Sequence, residues 1–242
     1  MPDTVTPLTI PTRFNGPPAS GNGGYVGGLL AERLGLASVE VTLRAPPPLD
    51  RPLVLRAGDA GGLDLLDGER LLAQARAAEL ALEIPPVPSP EYAAAAGAIG
   101  RMRAHGRGGD PYRRCFGCGI DREDGLLIVP SPVGDEGVVA TDWTPQAALA
   151  EPDGTLSAPI AWAALDCPAG FAWSHRLPDD AQMVTGRITA RVDVPLRAGE
   201  RYVVLGWPIA RDGRKLHAGT AIVDGEGVVR ARSLQLWLLL QA

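Results

Sequence analysis

The 242-residue chain is poor in lysine and in long apolar runs, and each shortage excludes a class of partner. Lys215 is its only lysine, its net charge is −5 and no basic cluster stands out, so the sequence lacks the basic face that neutralises nucleic-acid phosphates. No apolar run approaches the roughly 20 residues that span a bilayer, and the candidate segment at residues 234–240 has only the length of a strand. We therefore expect a partner that is neither a nucleic acid nor a membrane.

Cysteine is scarce too, and the first dozen residues lack the basic and apolar segments of a signal peptide, which predicts a cytoplasmic protein. Cys115, Cys118 and Cys167 are an odd number that fits free thiols better than a disulfide framework. Cys115 and Cys118 have the spacing of a metal-binding pair, but a structural zinc ion needs four ligands and no histidine pair completes the set. We expect no metal and no other cofactor, and interpret the pair as a tight turn before a strand.

Glycine is abundant where these residues are scarce, above all in FNGPPASGNGGYVGGLLAERL, residues 14–34. Asn22 is a good N-cap, Gly23 and Gly24 remove side chains from the first turn, and apolar residues at helical spacing follow. Unpaired N–H groups at such a terminus can bind an anion or a polarised carbonyl. The glycines equally allow the helix to pass close under another element, so this stretch predicts a helix and leaves both uses open.

The order of predicted elements occurs twice along the chain. LLDGERLLAQARAAELAL (65–82) and IVDGEGVVRARSLQLWLL (222–239) share an Asp-Gly-Glu turn between apolar pairs. The composition of residues 70–82 favours a helix, but the shared turn predicts a hairpin strand there. The counterpart of the glycine-rich helix is a helix predicted at 157–173. It follows two predicted strands, at 125–129 and 137–143. Two copies of strand, helix and antiparallel strands predict a duplicated α+β unit.

The boundaries of the two units follow from a change in composition between them. Residues 84–90 are rich in proline, residues 91–103 predict a short helix, and glycines follow. The sequence therefore predicts a first unit at 1–84, a linker at 85–108 and a second unit at 109–242.

These features together resemble the hotdog fold, a curved antiparallel sheet wrapped round a central helix, and two copies resemble a double-hotdog acyl-CoA thioesterase. Asn15 followed by Asn22-Gly23-Gly24 resembles the Asn…His-Gly-Gly signature of phenylacetyl-CoA-type thioesterases, with Asn22 in the place of histidine. CFGCG (115–119) resembles the opening of many small hotdog proteins, and residues 231–235 resemble the last-strand segment in which type II thioesterases keep a glutamine.

The resemblance implies an acyl-CoA or similar thioester as substrate and a homodimer of double-hotdog chains. Asp166 falls where these families keep a helix carboxylate, and we expect it to act as base or nucleophile with Asn22 beside it. Gln235 is expected to position the water, and the Gly23 or Gly24 N–H to hold the carbonyl oxygen. The residues expected to bind substrate are Asn15, Gly23, Gly24 and Tyr25.

A non-catalytic acyl or acyl-CoA binding protein of the same fold is the alternative to this thioester hydrolase. Residues 201–210 contain no Thr or Ser, so the strand hydroxyl of type II enzymes is expected to be missing, and Asn22 replaces a histidine. Asp166 could also be a core residue whose carboxylate a backbone or hydroxyl group satisfies. The duplicated unit predicts one site and not two, because Pro159 at the start of the second helix has no N–H to donate.

Overall fold

The computed structural model describes residues 6–106 and 111–240, and within them an antiparallel sheet of eleven strands packs against α-helices. The strands are β1 (Thr6–Leu8), β2 (Ser38–Leu43), β3 (Leu53–Ala57), β4 (Leu63–Asp67), β5 (Arg70–Ala77), β6 (Ser131–Pro132), β7 (Val139–Trp143), β8 (Met183–Val192), β9 (Tyr202–Asp212), β10 (Lys215–Asp224) and β11 (Val229–Leu239). The helices are α1 (Gly23–Leu34), α2 (Pro90–Gly106) and α3 (Ala158–Ser174).

The two halves of the sheet repeat one strand order. From its outer edge inwards the first half runs β1-β3-β4-β5-β2, and the second half runs β6-β7-β9-β10-β11-β8. Every strand of the first half therefore has a counterpart in the second, and β6 is an addition at the edge. The halves join where β2 pairs antiparallel with β8, with Val41 opposite Ile188. This confirms the predicted duplicated α+β fold, whereas the unit boundaries at 84 and 109 stay a prediction.

Glycines bring α1 directly against α3. A Cβ added to Gly24 would overlap the Trp162 carbonyl oxygen, and one added to Gly28 would overlap Pro159 at the start of α3. Successive contacts of α1 thus run back along α3, so the two helices are antiparallel. The apolar residues of both helices, among them Leu30 and Leu165, form the centre of the core that the sheet covers. Close helix packing is therefore one real use of the glycine-rich stretch.

The predicted strand at 125–129 is wrong, although the strand predicted at 137–143 is present as β7. The Leu126 N–H donates to the Phe116 carbonyl and the Ile128 N–H to the Gly117 carbonyl, so this segment bonds to the cysteine-containing turn instead of a neighbouring strand. Leu127 between them has a φ of 54°, which is incompatible with an extended strand. The prediction for residues 70–82 holds in kind, since β5 covers Arg70–Ala77 and pairs with both β4 and β2.

The predicted linker contains a longer helix than expected, and this helix belongs to the body of the protein. α2 packs against β7, where Gly97 lies against the Thr141 side chain, and against the segment before β6, where Gly100 lies against the Val129 carbonyl. Side chains at these two positions would overlap their neighbours, so glycine sets the depth at which α2 lies. Among the described helices, none has the length and apolar character needed to cross a membrane.

Candidate functional site

Asn22 fixes the start of α1 and directs an amide group away from it. Its Oδ1 accepts a hydrogen bond from the Tyr25 N–H at 2.9 Å, as the N-cap prediction requires, and its backbone N–H donates to the Phe14 carbonyl at 2.8 Å. Because the oxygen is engaged by the helix, the Nδ2 group donates outwards, to Asp166 at 3.0 Å. The Asn22 side chain therefore caps α1 with its oxygen and, in the same conformation, donates to Asp166 with its nitrogen.

Asp166 meets this helix terminus from the middle of α3. Its Oδ2 accepts hydrogen bonds from the Gly24 N–H and the Asn22 Nδ2 group, each at 3.0 Å, and its Oδ1 accepts from the Thr185 hydroxyl at 2.7 Å. The carboxyl group is buried, with 2% of the residue exposed. The structure therefore brings a carboxylate from the second half of the chain to the glycine pair of the first.

The surroundings of Asp166 act on its pKa in opposite directions. Burial raises the pKa because it penalises the charged form, whereas the hydrogen bonds from Thr185, Gly24 and Asn22 lower it. Burial is the larger effect and raises the pKa of Asp166 to about 6. The carboxylate form consequently predominates at neutral pH, and a fall of about one pH unit makes the acid form comparably populated.

A cavity of about 920 Å³ opens beside the carboxyl group and is lined from both halves of the chain. Asn22, Gly23, Asp166 and Thr185 line it together, and α2 contributes Arg103. Much of the remaining wall is apolar, from Leu43, Phe171, Met183, Val184, Trp237 and Leu238. Further charged residues along it include Arg44, Arg113, Asp179 and Asp180. The cavity can hold an elongated ligand with an apolar part and a polar part.

Gly23 and Gly24 have different roles in this arrangement. The Gly24 N–H is taken up by Asp166, while within the described residues no acceptor takes the Gly23 N–H. Gly23 also lines the cavity, where a Cβ would approach Leu43 and Thr185 to 3.0 Å. Of the two amides proposed from the sequence as donors to a ligand, Gly23 is the one that is left to donate.

The expectation that a strand hydroxyl is missing is wrong. Thr185 supplies one from β8, whereas residues 201–210, which contain no Thr or Ser, belong almost entirely to β9. Nothing local in the sequence indicates that the Thr185 side chain faces Asp166. The signal that finds it is the pairing of β8 beside β2, which places both strands next to the start of α1.

Gln235 lies under the helix that carries Asp166 and does not line the cavity. Its Nε2 group donates to the Leu165 carbonyl at 2.7 Å and to the Ser233 hydroxyl at 2.8 Å, and its Oε1 accepts from the Trp237 indole N–H at 2.8 Å. All of these partners are in the protein interior. The side chain is therefore arranged to hold α3 on β11, and the water-positioning role expected from the sequence gains no support from this placement.

Asn15 and Tyr25 also lie outside the lining of the cavity. The Asn15 Oδ1 accepts from the Arg122 guanidinium at 2.9 Å, which ties the glycine loop to the segment after the cysteine turn. The Tyr25 ring stacks on Phe14 with centroids 3.8 Å apart, and burial raises its pKa to about 12. Both residues support the helix start from behind instead of facing the cavity.

The corresponding position in the other half carries no such site. Counted from the first residue of each helix, Pro159 takes the place of Gly24 and Ala31 that of Asp166. Proline has no N–H to donate and alanine has no carboxylate. The duplicated fold thus carries this arrangement once.

Comparison with known proteins identifies the fold. No protein-family model matches the sequence, and neither does any curated protein. A thioesterase candidate from Novosphingobium aromaticivorans superposes with a TM-score of 0.65 at 15% identity, over 98% of this chain and 96% of that one. A conserved hot dog protein of unknown function from Alicyclobacillus acidocaldarius gives 0.64 at 10% identity, over 98% and 94%. A thioesterase II candidate from Thermobifida fusca gives 0.62 at 14% identity, over 98% and 92%.

These structures share the whole architecture with this chain at low sequence identity. Coverage above nine-tenths in both directions matches the duplicated sheet and both central helices together. The chain is therefore a double-hotdog protein. At such identities the likeness establishes the fold, and the function has to be argued from the site.

Proposed function

We propose that the protein hydrolyses a thioester of the acyl-CoA type in the cavity beside Asp166. The observation that carries the proposal is the buried carboxylate held by the Gly24 N–H, the Asn22 amide and the Thr185 hydroxyl at the edge of a cavity of about 920 Å³. An arrangement that orients a carboxylate so fully favours chemistry over packing, because an alanine or leucine would fill the same space without a desolvation cost. The thioesterase candidates of the same fold favour this class of reaction.

The proposed reaction starts with the thioester carbonyl oxygen accepting a hydrogen bond from the Gly23 N–H. This amide stands at the positive end of the α1 dipole and would stabilise the negative charge that develops on that oxygen. Asp166 then either removes a proton from the attacking water or attacks the carbonyl carbon itself. The carbon–sulfur bond breaks and the thiolate takes up a proton. If Asp166 is the nucleophile, a water molecule then hydrolyses the acyl–Asp166 anhydride that this step leaves. On either route a carboxylic acid and a free thiol leave the cavity.

The neighbours of Asp166 orient it and do not exchange protons. An amide such as that of Asn22 is neither acid nor base in the accessible pH range, so its contribution is to hold Oδ2 with the Gly24 N–H. The Thr185 hydroxyl donates to Oδ1, which keeps one lone pair for a water or a carbonyl carbon. We assign Gln235 a structural role, which is to hold α3 on β11 through its bond to the Leu165 carbonyl.

A second candidate function is the binding of acyl-CoA without hydrolysis. The observation that favours it is that Asp166 is 2% exposed and already accepts three hydrogen bonds, while Asn22 offers no proton-transfer group. In that case the site would recognise the thioester carbonyl and leave it intact. The cavity and the Gly23 N–H would serve both functions equally.

A panel of acyl-CoA thioesters of increasing chain length separates the two functions. Release of free thiol is followed with a chromogenic disulfide, and binding of the same compounds is measured by calorimetry. Thiol release that increases with the fraction of protein bound to the thioester supports hydrolysis. Saturable binding of the panel with no thiol release above the uncatalysed rate contradicts hydrolysis and supports the binding protein.

Isotope labelling distinguishes the base from the nucleophile. In a single turnover in ¹⁸O-water, a base mechanism places the label in the acid product and never in the protein. Attack by Asp166 followed by hydrolysis at the Asp166 carbonyl leaves the acid unlabelled and transfers ¹⁸O to the protein, so label in the peptide identifies the nucleophile. Mass spectrometry of the acid and of the peptide containing Asp166 reads out both. We expect label in the acid, since the fixed carboxylate is held by three donors and has little freedom to move onto carbon.

A further inference from the structure

Folding collects the three cysteines of the chain into one cluster. Cys115 and Cys118 come from the turn after residue 114, and Cys167 comes from α3 next to Asp166. The three sulfur atoms all lie within 4.8 Å of one another, and those of Cys115 and Cys167 are 3.8 Å apart. Two thiolates bound to one tetrahedral zinc ion at about 2.3 Å are about 3.8 Å apart, so this pair already has the separation that a shared ion imposes.

The turn that carries the first two cysteines is built to stabilise a thiolate. The backbone N–H groups of Gly117 and Cys118 hydrogen-bond to the Cys115 sulfur, and the Gly119 N–H donates to the Cys115 carbonyl at 2.8 Å. Donors that surround a sulfur in this way orient it as a metal ligand in the manner of an outer coordination shell.

Gly117 adds an observation that links the turn to the third cysteine. A Cβ at this position would lie 2.7 Å from the Cys167 sulfur, closer than the two atoms can approach. Glycine here lets α3 bring its thiol onto the turn. The approach of Cys167 is therefore part of the close packing between the turn and the helix.

We propose that Cys115, Cys118 and Cys167 bind one Zn²⁺ ion as three thiolate ligands. All three residues line the cavity, and Cys118 is partly exposed, so the fourth coordination position is open to a water molecule from the cavity. The sequence alone supplied the two-cysteine spacing but not the third ligand, which the fold brings from α3. This inference stands independently of the proposed function, and its readout needs no thioester.

Metal titration of the full chain tests the site. The reduced protein is stripped of metal, and Zn²⁺ is added in competition with a chromogenic chelator under anaerobic conditions. We expect one ion per chain, and with Co²⁺ in its place the charge-transfer absorption of thiolate-bound tetrahedral cobalt. Cys118→Ser, in the partly exposed turn, and Cys167→Ser should each weaken zinc binding at least about 100-fold. Circular dichroism checks that both variants are folded.

Ser174→Ala provides the matched control. Ser174 lines the same cavity on the same helix, its hydroxyl donates to the Phe171 carbonyl, and its loss should leave zinc affinity and the cobalt spectrum unchanged. A folded, reduced chain that takes up no stoichiometric zinc overturns the proposal. So does uptake of half an ion per chain, which would mean a site shared between molecules, or cysteine variants that bind as tightly as the parent.

Discussion

Replacing Gly24 by alanine perturbs the contact on which the candidate site depends. The added Cβ would overlap the Trp162 carbonyl oxygen and lie 2.7 Å from the Asp166 Cβ. A backbone oxygen inside a helix cannot turn aside, so α1 has to move away from α3 by roughly 1 Å to reach ordinary contact. Such a shift also stretches the bond between the Gly24 N–H and the Asp166 carboxylate, which is 3.0 Å in the parent.

The free energy of unfolding should fall by about 2 to 5 kcal/mol in this variant. Overpacking costs about 1–3 kcal/mol, and loss of a hydrogen bond to a charged group costs about 1.5–3 kcal/mol. The gain in helix propensity from glycine to alanine returns about 1 kcal/mol at most. Hydrolysis should fall with it, because the carboxylate loses one of its three donors.

Gly23→Ala is the control for this experiment. Its Cβ meets the side chains of Leu43 and Thr185 at 3.0 Å, and rotation of the leucine methyl groups can relieve part of that contact. We expect a loss of stability below about 1 kcal/mol, comparable with the propensity gain, but a clear loss of thioester hydrolysis. Urea unfolding of the three proteins measures the difference. If Gly24→Ala unfolds at the same midpoint and slope as Gly23→Ala, the close packing of α1 on α3 is not as described.

Three further predictions concern the neighbours and the ionisation of Asp166. Thr185→Val should lower hydrolysis about tenfold or more because it removes the donor to Oδ1, while Thr185→Ser keeps the hydroxyl and should stay near the parent rate. With a chelator present to keep the cysteine cluster free of zinc, the rate of hydrolysis should rise with pH through about 6 and level off above 7, because only the carboxylate form of Asp166 can accept a proton. A rate independent of pH between 5 and 7 would contradict this prediction. Gln235→Leu should lower the free energy of unfolding by about 1–3 kcal/mol, because it leaves the buried Trp237 indole N–H without an acceptor, and kcat of the folded protein should change little. A lower kcat at parental stability would instead place Gln235 at the reacting water.

The elements with local signals could be predicted from the sequence. α1 begins where predicted because Asn22 caps its start, and Gly35 ends it with a φ of 64°. The shared Asp-Gly-Glu turns likewise predicted the hairpins β4–β5 and β10–β11, which the structure contains. These signals lie within a few residues of the element they define.

The features that the sequence left open depend on contacts between distant segments. Thr185 reaches Asp166 because β8 pairs with β2, and Cys167 reaches Cys115 because Gly117 lets the turn lie on α3. The segment at 125–129 is apolar enough for a strand, but its N–H groups find acceptors in the cysteine turn. No local pattern encodes such partners, which is why the site could be predicted only in its Asp166 and glycine-pair components.

The most direct test of the proposed function compares Asp166→Asn with the parent on the acyl-CoA thioester that the parent releases fastest. Asparagine keeps the volume of the side chain but cannot act as base or nucleophile, so thiol release should fall by ~10²-fold or more. Calorimetric binding of the same compound and the circular dichroism spectrum should remain close to those of the parent. A variant that binds the thioester normally and hydrolyses it as fast as the parent would contradict the assignment of the chemistry to Asp166.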